Sequence, residues 1–548
     1  MSSRRTIRLF ALLPFGAALL LAQNPDMGPL PIPTFKSSTR MVLVDVVATD
    51  GDGRPVHDLK RGDFTVLDNG KPQSIAAFDE QRSDGIPIPP VPLNLGENVY
   101  TNYVSRTQPG ALTVLLFDSL NTDRPDLPNA RRKMLNFLKK LPAGQKVAFY
   151  ALSSQLKMVQ SFTENSDQLI AAAEQLSIHS NPAYSSTKEF SATIGALRES
   201  GISTTPAFSH IVEFLGEEYQ DKLELRSTLT LEAFEQLAHA LAVVPGRKNL
   251  IWLSAGFPFD ISGNVPELRK IAALLAGNRI AVYPVDVRGV VSLGADAQTG
   301  DSELFAQTQP YGALSGGDQE NLGIVETMRS IASLTGGRAH INDNDLEGAI
   351  ADSMQTGSSY YSLAYRPAAI EWKGKFRKIA IKTSRRNVKL LYRTGYYATS
   401  DTASLKDDPG RVVTVAMQPS SPVSTQLIMK ARVIPAKSPG ETTEIDILID
   451  VHDLALTEEK DQKKPDVQFM AVAWDANGKQ AASFSEEFHA PLTPAQLESL
   501  WRTGLQIHQR MLLKSGPYQL RLAVMDRISG RIGTLDVPLT IATGVTAK

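Results

Sequence analysis

The residues best suited to chemistry follow a strand-like apolar stretch at 112–117. Asp118 comes directly after this stretch, and oxygen-bearing side chains follow it closely: Ser119, Asn121, Thr122 and Asp123. Hard cations such as Mg²⁺ prefer carboxylate and hydroxyl oxygens, and open α/β sheets bind ligands at the carboxyl ends of their strands. Three interpretations are open: a working metal site, the remnant of one, or a polar cap on a strand end.

Two other polar residues stand in comparable places. Ser254 and Asp286 each follow an apolar stretch that predicts a buried strand. Ser254 also raises the possibility of a hydrolase nucleophile. A nucleophile elbow needs glycine two residues before the serine, and Trp252 stands there.

The elements that would position these residues alternate from 111 to about 400. Predicted strands lie at 112–117, 147–152, 249–253, 280–285 and 360–365, and amphipathic stretches that predict helices lie between them. Such alternation is typical of a mostly parallel sheet covered by helices on both faces. Two segments have weak periodicity and are predicted to be insertions or long loops suited to specificity: 178–225 and 289–320.

Strand-like segments flank this α/β region. Residues 40–82 predict a small β domain, in which Asp68-Asn69-Gly70 indicates a tight hairpin. A Pro-rich connector follows at 83–110. After a linker at 401–411, the short β-rich stretches of 412–548 predict a β-sandwich.

The N-terminus and the composition indicate where the protein works. Arg4, Arg5 and Arg8 precede a short apolar stretch ending at Ala22, which predicts a signal peptide at 1–22 and a linker at 23–39. No later stretch is long and apolar enough to span a bilayer. Lys plus Arg (57) balances Asp plus Glu (58), so no net field favours nucleic acid, and the absence of cysteine excludes disulfides. We expect an exported protein, in the periplasm, on the outer surface or outside the cell.

Residues 40–400 resemble the von Willebrand factor A (VWFA) domain, in particular its divergent secreted bacterial branch, the Acidobacterial VWFA-related proteins. Four segments carry the resemblance: VDVVATDGDGRPVHDLKRGDFTVLDNGKPQSIAAF, TVLLFDSLNT, FTENSDQLIAAAEQL and VPGRKNLIWLSAGFP. The resemblance implies a doubly wound, Rossmann-like α/β domain with its ligand site above the carboxyl ends of the strands. The whole chain is then predicted to be multidomain, with β domains on both sides.

The family's metal-ion-dependent adhesion site binds Mg²⁺ through Asp-x-Ser-x-Ser, joined by a later Thr and a later Asp. By this resemblance Asp118 and Thr122 fill two positions, Leu120 offers no oxygen at the third, and Thr230 (or Thr228) is the later threonine. The later Thr-Asp-Gly reads Ser254-Ala255-Gly256, without a carboxylate. The resemblance therefore implies a degenerate site of Asp118, Thr122 and Thr230 that binds Mg²⁺ weakly or not at all.

The leading hypothesis is an exported, non-enzymatic protein-binding, adhesion or scaffold protein that uses the loops at the carboxyl edge of the sheet. Its partner would be a protein ligand or an envelope component, with no nucleic acid involved. The candidates for partner contact are Ser119, Asn121, Asp123, Ser254 and Asp286. Two alternatives remain open: a secreted hydrolase or protease whose catalytic groups come from several domains, and a structural component of the cell envelope.

Overall fold

A computed structural model describes most of the chain: residues 41–82, 95–102, 111–142, 144–176, 187–242, 244, 246–257, 261–290, 316–367, 375–398, 409–419, 421–438, 440–459, 462–476 and 478–542. The predicted signal peptide and first linker lie outside these residues. So do most of the Pro-rich connector, parts of both predicted insertions and residues 401–408 of the second linker. Among the helices within these ranges, none has the length and apolar character that a membrane crossing requires.

The strands of the first half of the chain are β1 (Val42–Thr49), β2 (Phe64–Asp68), β3 (Lys71–Gln73), β4 (Ile75–Gln81), β5 (Val99–Thr101), β6 (Leu112–Asp118), β7 (Val147–Leu152), β8 (Leu156–Thr163), β9 (Lys248–Ser254) and β10 (Ile280–Asp286). Those of the second half are β11 (Tyr360–Tyr365), β12 (Lys375–Thr383), β13 (Lys389–Leu391), β14 (Gly395–Ala398), β15 (Met429–Ile434), β16 (Thr442–Ile449), β17 (Thr457–Glu459), β18 (Gln462–Lys464), β19 (Val467–Asp475), β20 (Gln480–Phe488), β21 (Leu505–Leu512), β22 (Gly516–Asp526) and β23 (Ile532–Ile541). The α-helices are α1 (Leu127–Lys139), α2 (Ser166–Gln175), α3 (Thr187–Glu199), α4 (Pro206–Ala242), α5 (Ile261–Gly277), α6 (Gly316–Thr335), α7 (Leu346–Ser358), α8 (Pro409–Ala416) and α9 (Pro494–Thr503).

The centre of the molecule is a five-stranded sheet in the order β10-β9-β6-β7-β8. Its strands are parallel except β8, which pairs antiparallel with β7. Strands β6, β7, β9 and β10 are almost entirely buried because helices cover both faces. One face packs against apolar side chains of α4, α5 and α6, and the other against those of α1, α2 and α7. The predicted α/β layer with a mostly parallel sheet is confirmed.

Residues before and after the central layer pair with each other to form a second unit. Two four-stranded sheets, β13-β1-β11-β4 and β14-β12-β2-β3, enclose a shared apolar core. The prediction that 360–365 belongs to the parallel sheet is wrong, since β11 lies antiparallel between β1 and β4. A buried apolar strand has the same sequence pattern in a parallel and in an antiparallel sheet, so the residues of β11 do not show which sheet it joins. Its partners β1 and β4 lie about 300 residues away in sequence. The β2–β3 hairpin is as predicted, with positive φ at Asn69 (47°) and Gly70 (78°).

Residues 427–541 form a further pair of sheets around their own core. The sheet orders are β21-β16-β15-β5 and β20-β19-β22-β23, and β5 comes from the Pro-rich connector at 83–110. Residues 412–416, expected in a strand because of their β-branched side chains, lie in helix α8. Burial of Ala416 and Met417 in a cluster with Val244 and Met470 overrides that local preference.

Part of the predicted insertion at 178–225 is helical rather than a loop. Helix α3 and the first half of α4 occupy 187–199 and 206–225. The first two thirds of α4 leave most of their side chains exposed or half-buried. A helix that packs so little of its surface does not need a regular apolar stripe, so its periodicity in the sequence is weak.

Candidate functional site

The candidate site lies where the winding of the central sheet changes direction. From β6 the chain moves outward through β7 and β8, then returns to β9 on the other side of β6. In doubly wound sheets the crevice at the carboxyl ends of two such strands is the usual ligand position. Asp118 ends β6 and Ser254 ends β9, so the sequence-predicted residues meet at this switch point.

The Asp118 carboxylate is buried, with 1% of the residue exposed, and both of its oxygens accept hydrogen bonds. The backbone N–H groups of Leu120 and Asn121 donate to Oδ1, each at 3.0 Å. Oδ2 accepts from Asn121 Nδ2 at 2.8 Å, Trp252 Nε1 at 2.9 Å and Ser254 Oγ at 2.8 Å. Burial raises the pKa of Asp118, while the donors from Asn121, Ser254 and Trp252 oppose that rise by favouring the charged form.

The two threonines of the predicted metal site are committed to other partners. Thr122 Oγ1 donates to the Asp118 backbone carbonyl at 2.6 Å and accepts from Ala255 N at 3.2 Å. Thr230 Oγ1 accepts from Asn121 Nδ2 at 2.8 Å. Both threonines are buried, so their hydroxyls hold the β6 loop against β9 and α4.

A buried arginine completes this network. The Arg226 Nε donates to Asn121 Oδ1 at 3.3 Å, and the Arg226 backbone carbonyl accepts from Thr230 Oγ1 at 2.8 Å. Only 2% of Arg226 is exposed. The Asn121 side chain therefore lies between a guanidinium on one side and the Asp118 carboxylate on the other.

The residues present do not fit a Mg²⁺ ion, which needs six oxygens in near-octahedral geometry. Both Asp118 oxygens and the Thr122 hydroxyl are engaged by protein donors, and Leu120, in the third position, is apolar and buried. Across the described residues, no group of three or more His, Asp or Glu side chains is arranged to hold a metal.

The remaining candidates are mostly unavailable to a partner in this structure. Ser119 Oγ donates to the Leu152 carbonyl at 2.9 Å, and Asp286 forms a two-point ion pair with Arg288, at 2.9 and 2.7 Å. Asp123 is half-buried. The other four residues proposed for partner contact are all buried: Ser119, Asn121, Ser254 and Asp286. Of these five candidates, Asp123 is therefore the one with appreciable exposed surface.

Ser254 does not have the surroundings of a nucleophile. Its hydroxyl donates to Asp118 Oδ2 and accepts from Gly256 N at 2.8 Å. The residue is fully buried, so a substrate has no surface from which to reach it. Its position supports a structural role in joining β9 to β6.

Sequence reasoning missed two members of the network, Trp252 and Arg226. Trp252 lies two positions before Ser254, so both side chains point to the same face of β9. Arg226 lies one helical turn before Thr230, on the buried face of α4 that also contains Phe234 and Leu237. A charged residue aligned with a buried stripe needs a partner, and that signal was present in the sequence.

Helix α4 extends far beyond the sheet. It has 37 residues, about 55 Å, whereas β6 has 7 residues, about 23 Å. Thr230 contacts Asn121, three positions past the end of β6, so residues 206–229 extend past the carboxyl edge of the sheet. We call α3 together with residues 206–229 of α4 the helical arm. Within it, the rings of Phe190 and Tyr219 stack at 5.2 Å.

No protein-family model matches this sequence, and no curated protein matches it significantly. Solved structures similar to the chain include a von Willebrand factor type A protein from Catenulispora acidiphila, with 13% identity, a TM-score of 0.24 and coverage of 62% of this chain and 78% of that one. An aerotolerance-related membrane protein from Bacteroides fragilis has 13% identity and a TM-score of 0.23, over 45% of this chain and 98% of that one. The manganese-loaded TRAP protein of Plasmodium vivax has 10% identity and a TM-score of 0.21, over 54% and 96%.

These similarities are too low in TM-score to carry an argument about family, metal or activity. The assignment of a mixed α/β centre rests instead on the strand order, the parallel pairing and the helices on both faces.

Proposed function

We propose that this chain is an exported, non-enzymatic binding or scaffold protein whose recognition surface is the helical arm at the carboxyl edge of the central sheet. The observation that carries the proposal is the extension of α4 past the sheet with large apolar side chains facing solvent. Phe214 is 65% exposed and Leu225 is 48% exposed. The basic and apolar N-terminal sequence supports export.

Phe214 and Leu225 lie on one side of α4. They are eleven positions apart, which is close to three full helical turns, so their side chains point in nearly the same direction. Scattered exposed apolar residues are normal, but two large ones aligned on a projecting helix are typical of an interaction surface. Tyr219 and Val212 are buried, so the arm has an apolar side of its own as well as the exposed one.

The exposed face of the arm is acidic. Five carboxylates on α4 are exposed: Glu213, Glu217, Glu218, Asp221 and Glu224. Residues 206–229 of α4 contain one lysine and one arginine: Lys222 pairs with Glu218 at 2.7 Å, and Arg226 is buried. The partner that fits this face is a polypeptide segment with basic side chains around an apolar stripe, because opposite charge steers association and apolar anchors supply affinity.

The test compares the purified protein with the Phe214→Ala/Leu225→Ala double variant as immobilised bait for envelope and secreted proteins. A retained protein is identified by mass spectrometry, purified and titrated at low and high salt. Loss of two anchors should weaken binding on the order of tenfold or more, and salt should weaken it further. Leu512→Ala is the matched control, since Leu512 is 61% exposed on β21 in another part of the molecule.

Equal retention by the wild type and the double variant would show that the arm is not the recognition surface. Turnover of a peptide or ester substrate that Ser254→Ala abolishes would instead favour the hydrolase alternative. Self-assembly in light scattering that the double variant leaves unchanged would favour a structural envelope component.

A further inference from the structure

The VWFA resemblance matches Asp118 to a metal-binding aspartate in a site that is degenerate here, and the structure links the same carboxylate to a protein cation, Arg226, through Asn121. We infer that Arg226, acting through the Asn121 amide, takes over the charge-balancing role of a metal ion and fastens the helical arm to the end of β6. This inference does not depend on what the arm binds.

The first support is the alignment of three groups. The Arg226 Nε donates to Asn121 Oδ1 at 3.3 Å, and Asn121 Nδ2 donates to Asp118 Oδ2 at 2.8 Å. The amide thus accepts from the cation and donates to the anion, so each hydrogen bond polarises the other in the same sense. All three residues are at least 98% buried, where such a network has large energetic consequences.

The second support is that a bound metal would compete with the same atoms. A cation on Asp118 Oδ2 would have to displace donors from Asn121, Trp252 and Ser254, which together fill that oxygen. The displaced Asn121 amide would also release its contact with Arg226. Breaking a buried charged network in this way is strongly unfavourable, and Mg²⁺ gives up its own waters reluctantly.

The third support is the position of Arg226 in α4. It lies one turn before Thr230, at the point where the helix extends past the sheet, and Thr230 Oγ1 accepts from the same Asn121 amide. The two contacts fix both the height and the rotation of α4 relative to β6. The direction of the helical arm is therefore set without a metal, and we expect recognition by the arm to be insensitive to chelators.

The experiment uses the full chain labelled with 5-fluorotryptophan. The sequence has four tryptophans, and Trp252 reports on the site because its Nε1 donates to Asp118. Its ¹⁹F resonance is assigned with Trp252→Phe. Millimolar Mn²⁺, which is paramagnetic, should add no more broadening to the Trp252 resonance than to that of Trp501, which is 44% exposed. EDTA should leave both the resonance and the thermal midpoint unchanged.

The second part of the experiment removes the positive charge of Arg226 by substitution. Arg226→Met should shift the Trp252 resonance and lower the midpoint by roughly 5–10 °C, because it leaves the buried Asn121 and Asp118 pair without its charge partner. The matched control is Lys222→Met, which removes a partly exposed lysine four residues earlier and should change neither quantity. Arg226→Lys should change the Trp252 resonance and the thermal midpoint less than Arg226→Met does. If Arg226→Met does not fold, Arg226→Lys is compared with the wild type instead.

Selective Mn²⁺ broadening of Trp252, or a fall in the thermal midpoint with EDTA, would overturn the inference. Equal behaviour of Arg226→Met and Lys222→Met would overturn it as well. None of these results concerns retention of a partner, so failure of the inference and failure of the proposed function are distinguishable.

Discussion

Replacement of Asp118 by asparagine tests the hydrogen-bond network at its centre. The substitution keeps the shape of the side chain but turns one acceptor oxygen into an NH₂ donor. If the NH₂ replaces Oδ1, it faces the N–H groups of Leu120 and Asn121. If it replaces Oδ2, it faces Asn121 Nδ2, Trp252 Nε1 and the Ser254 hydroxyl. Neither orientation satisfies the site.

The magnitude follows from the number of donors that lose their acceptor. At least two buried donors are left unpaired in either orientation, at about 1–3 kcal/mol each. The remaining bonds also weaken, because they go from a charged acceptor to a neutral one. Relief of the desolvation of a buried carboxylate offsets part of this loss. We expect Asp118→Asn to lower the free energy of unfolding by about 3 kcal/mol.

The assay is urea unfolding of the 5-fluorotryptophan-labelled protein, followed by the ¹⁹F resonance of Trp252. This resonance reports on the central layer rather than on the flanking sheets. Asp123→Asn is the matched control, because it makes the same chemical change at a half-buried position in the same loop and should change stability by less than about 0.5 kcal/mol. An Asp118→Asn variant as stable as the wild type, or more stable, would refute the reasoning. It would mean that the native carboxyl already carries a proton and that a neutral side chain satisfies the site.

Three further predictions concern the surroundings of the site and the contact between the central layer and the sheet that contains β1. Gly256→Ala should cost about 2–4 kcal/mol in thermal or urea unfolding, because φ is +78° and the new Cβ would lie 2.5 Å from Ile324 Cγ2; a neutral result would contradict the packing described. Arg279 directly precedes β10 and donates to Asp45 of β1 at 2.8 and 2.9 Å, so Arg279→Met should cost about 3 kcal/mol and speed limited proteolysis between the central layer and the β1 sheet; unchanged cleavage would count against this. Burial, and then Arg279, lowers the pKa of Lys248 from 10.5 to about 7. Between pH 7 and 10.5 the Lys248 amine is therefore protonated more in the unfolded chain than in the folded one. The free energy of unfolding should rise with pH across this window by up to about 1.4 kcal/mol per pH unit. Lys248→Met should remove this slope from urea midpoints measured at neutral and alkaline pH, and a slope that persists would assign it to another group.

Several features of this protein were determined by local sequence. The apolar stretch before Asp118 is a buried strand that ends at that residue, and the alternation of strands and helices produced the central layer. Asn69-Gly70 formed its tight hairpin because only a few residues adopt positive φ readily. These features depend on neighbours within a few positions, which is the range over which periodicity and turn chemistry act.

Other features were decided only by tertiary structure. The pairing of β1 and β4 with β11 joins segments about 300 residues apart, and the same apolar pattern would serve in either sheet. The state of the Asp118 centre depended in the same way on Trp252 from β9 and Arg226 from α4. A sequence pattern reports that a side chain is buried, but the identity of the atoms that meet it depends on how distant elements pack. For that reason the sequence by itself predicted a polar centre at the end of β6, whereas the atoms that surround the Asp118 carboxylate were decided by the packing of β9 and α4.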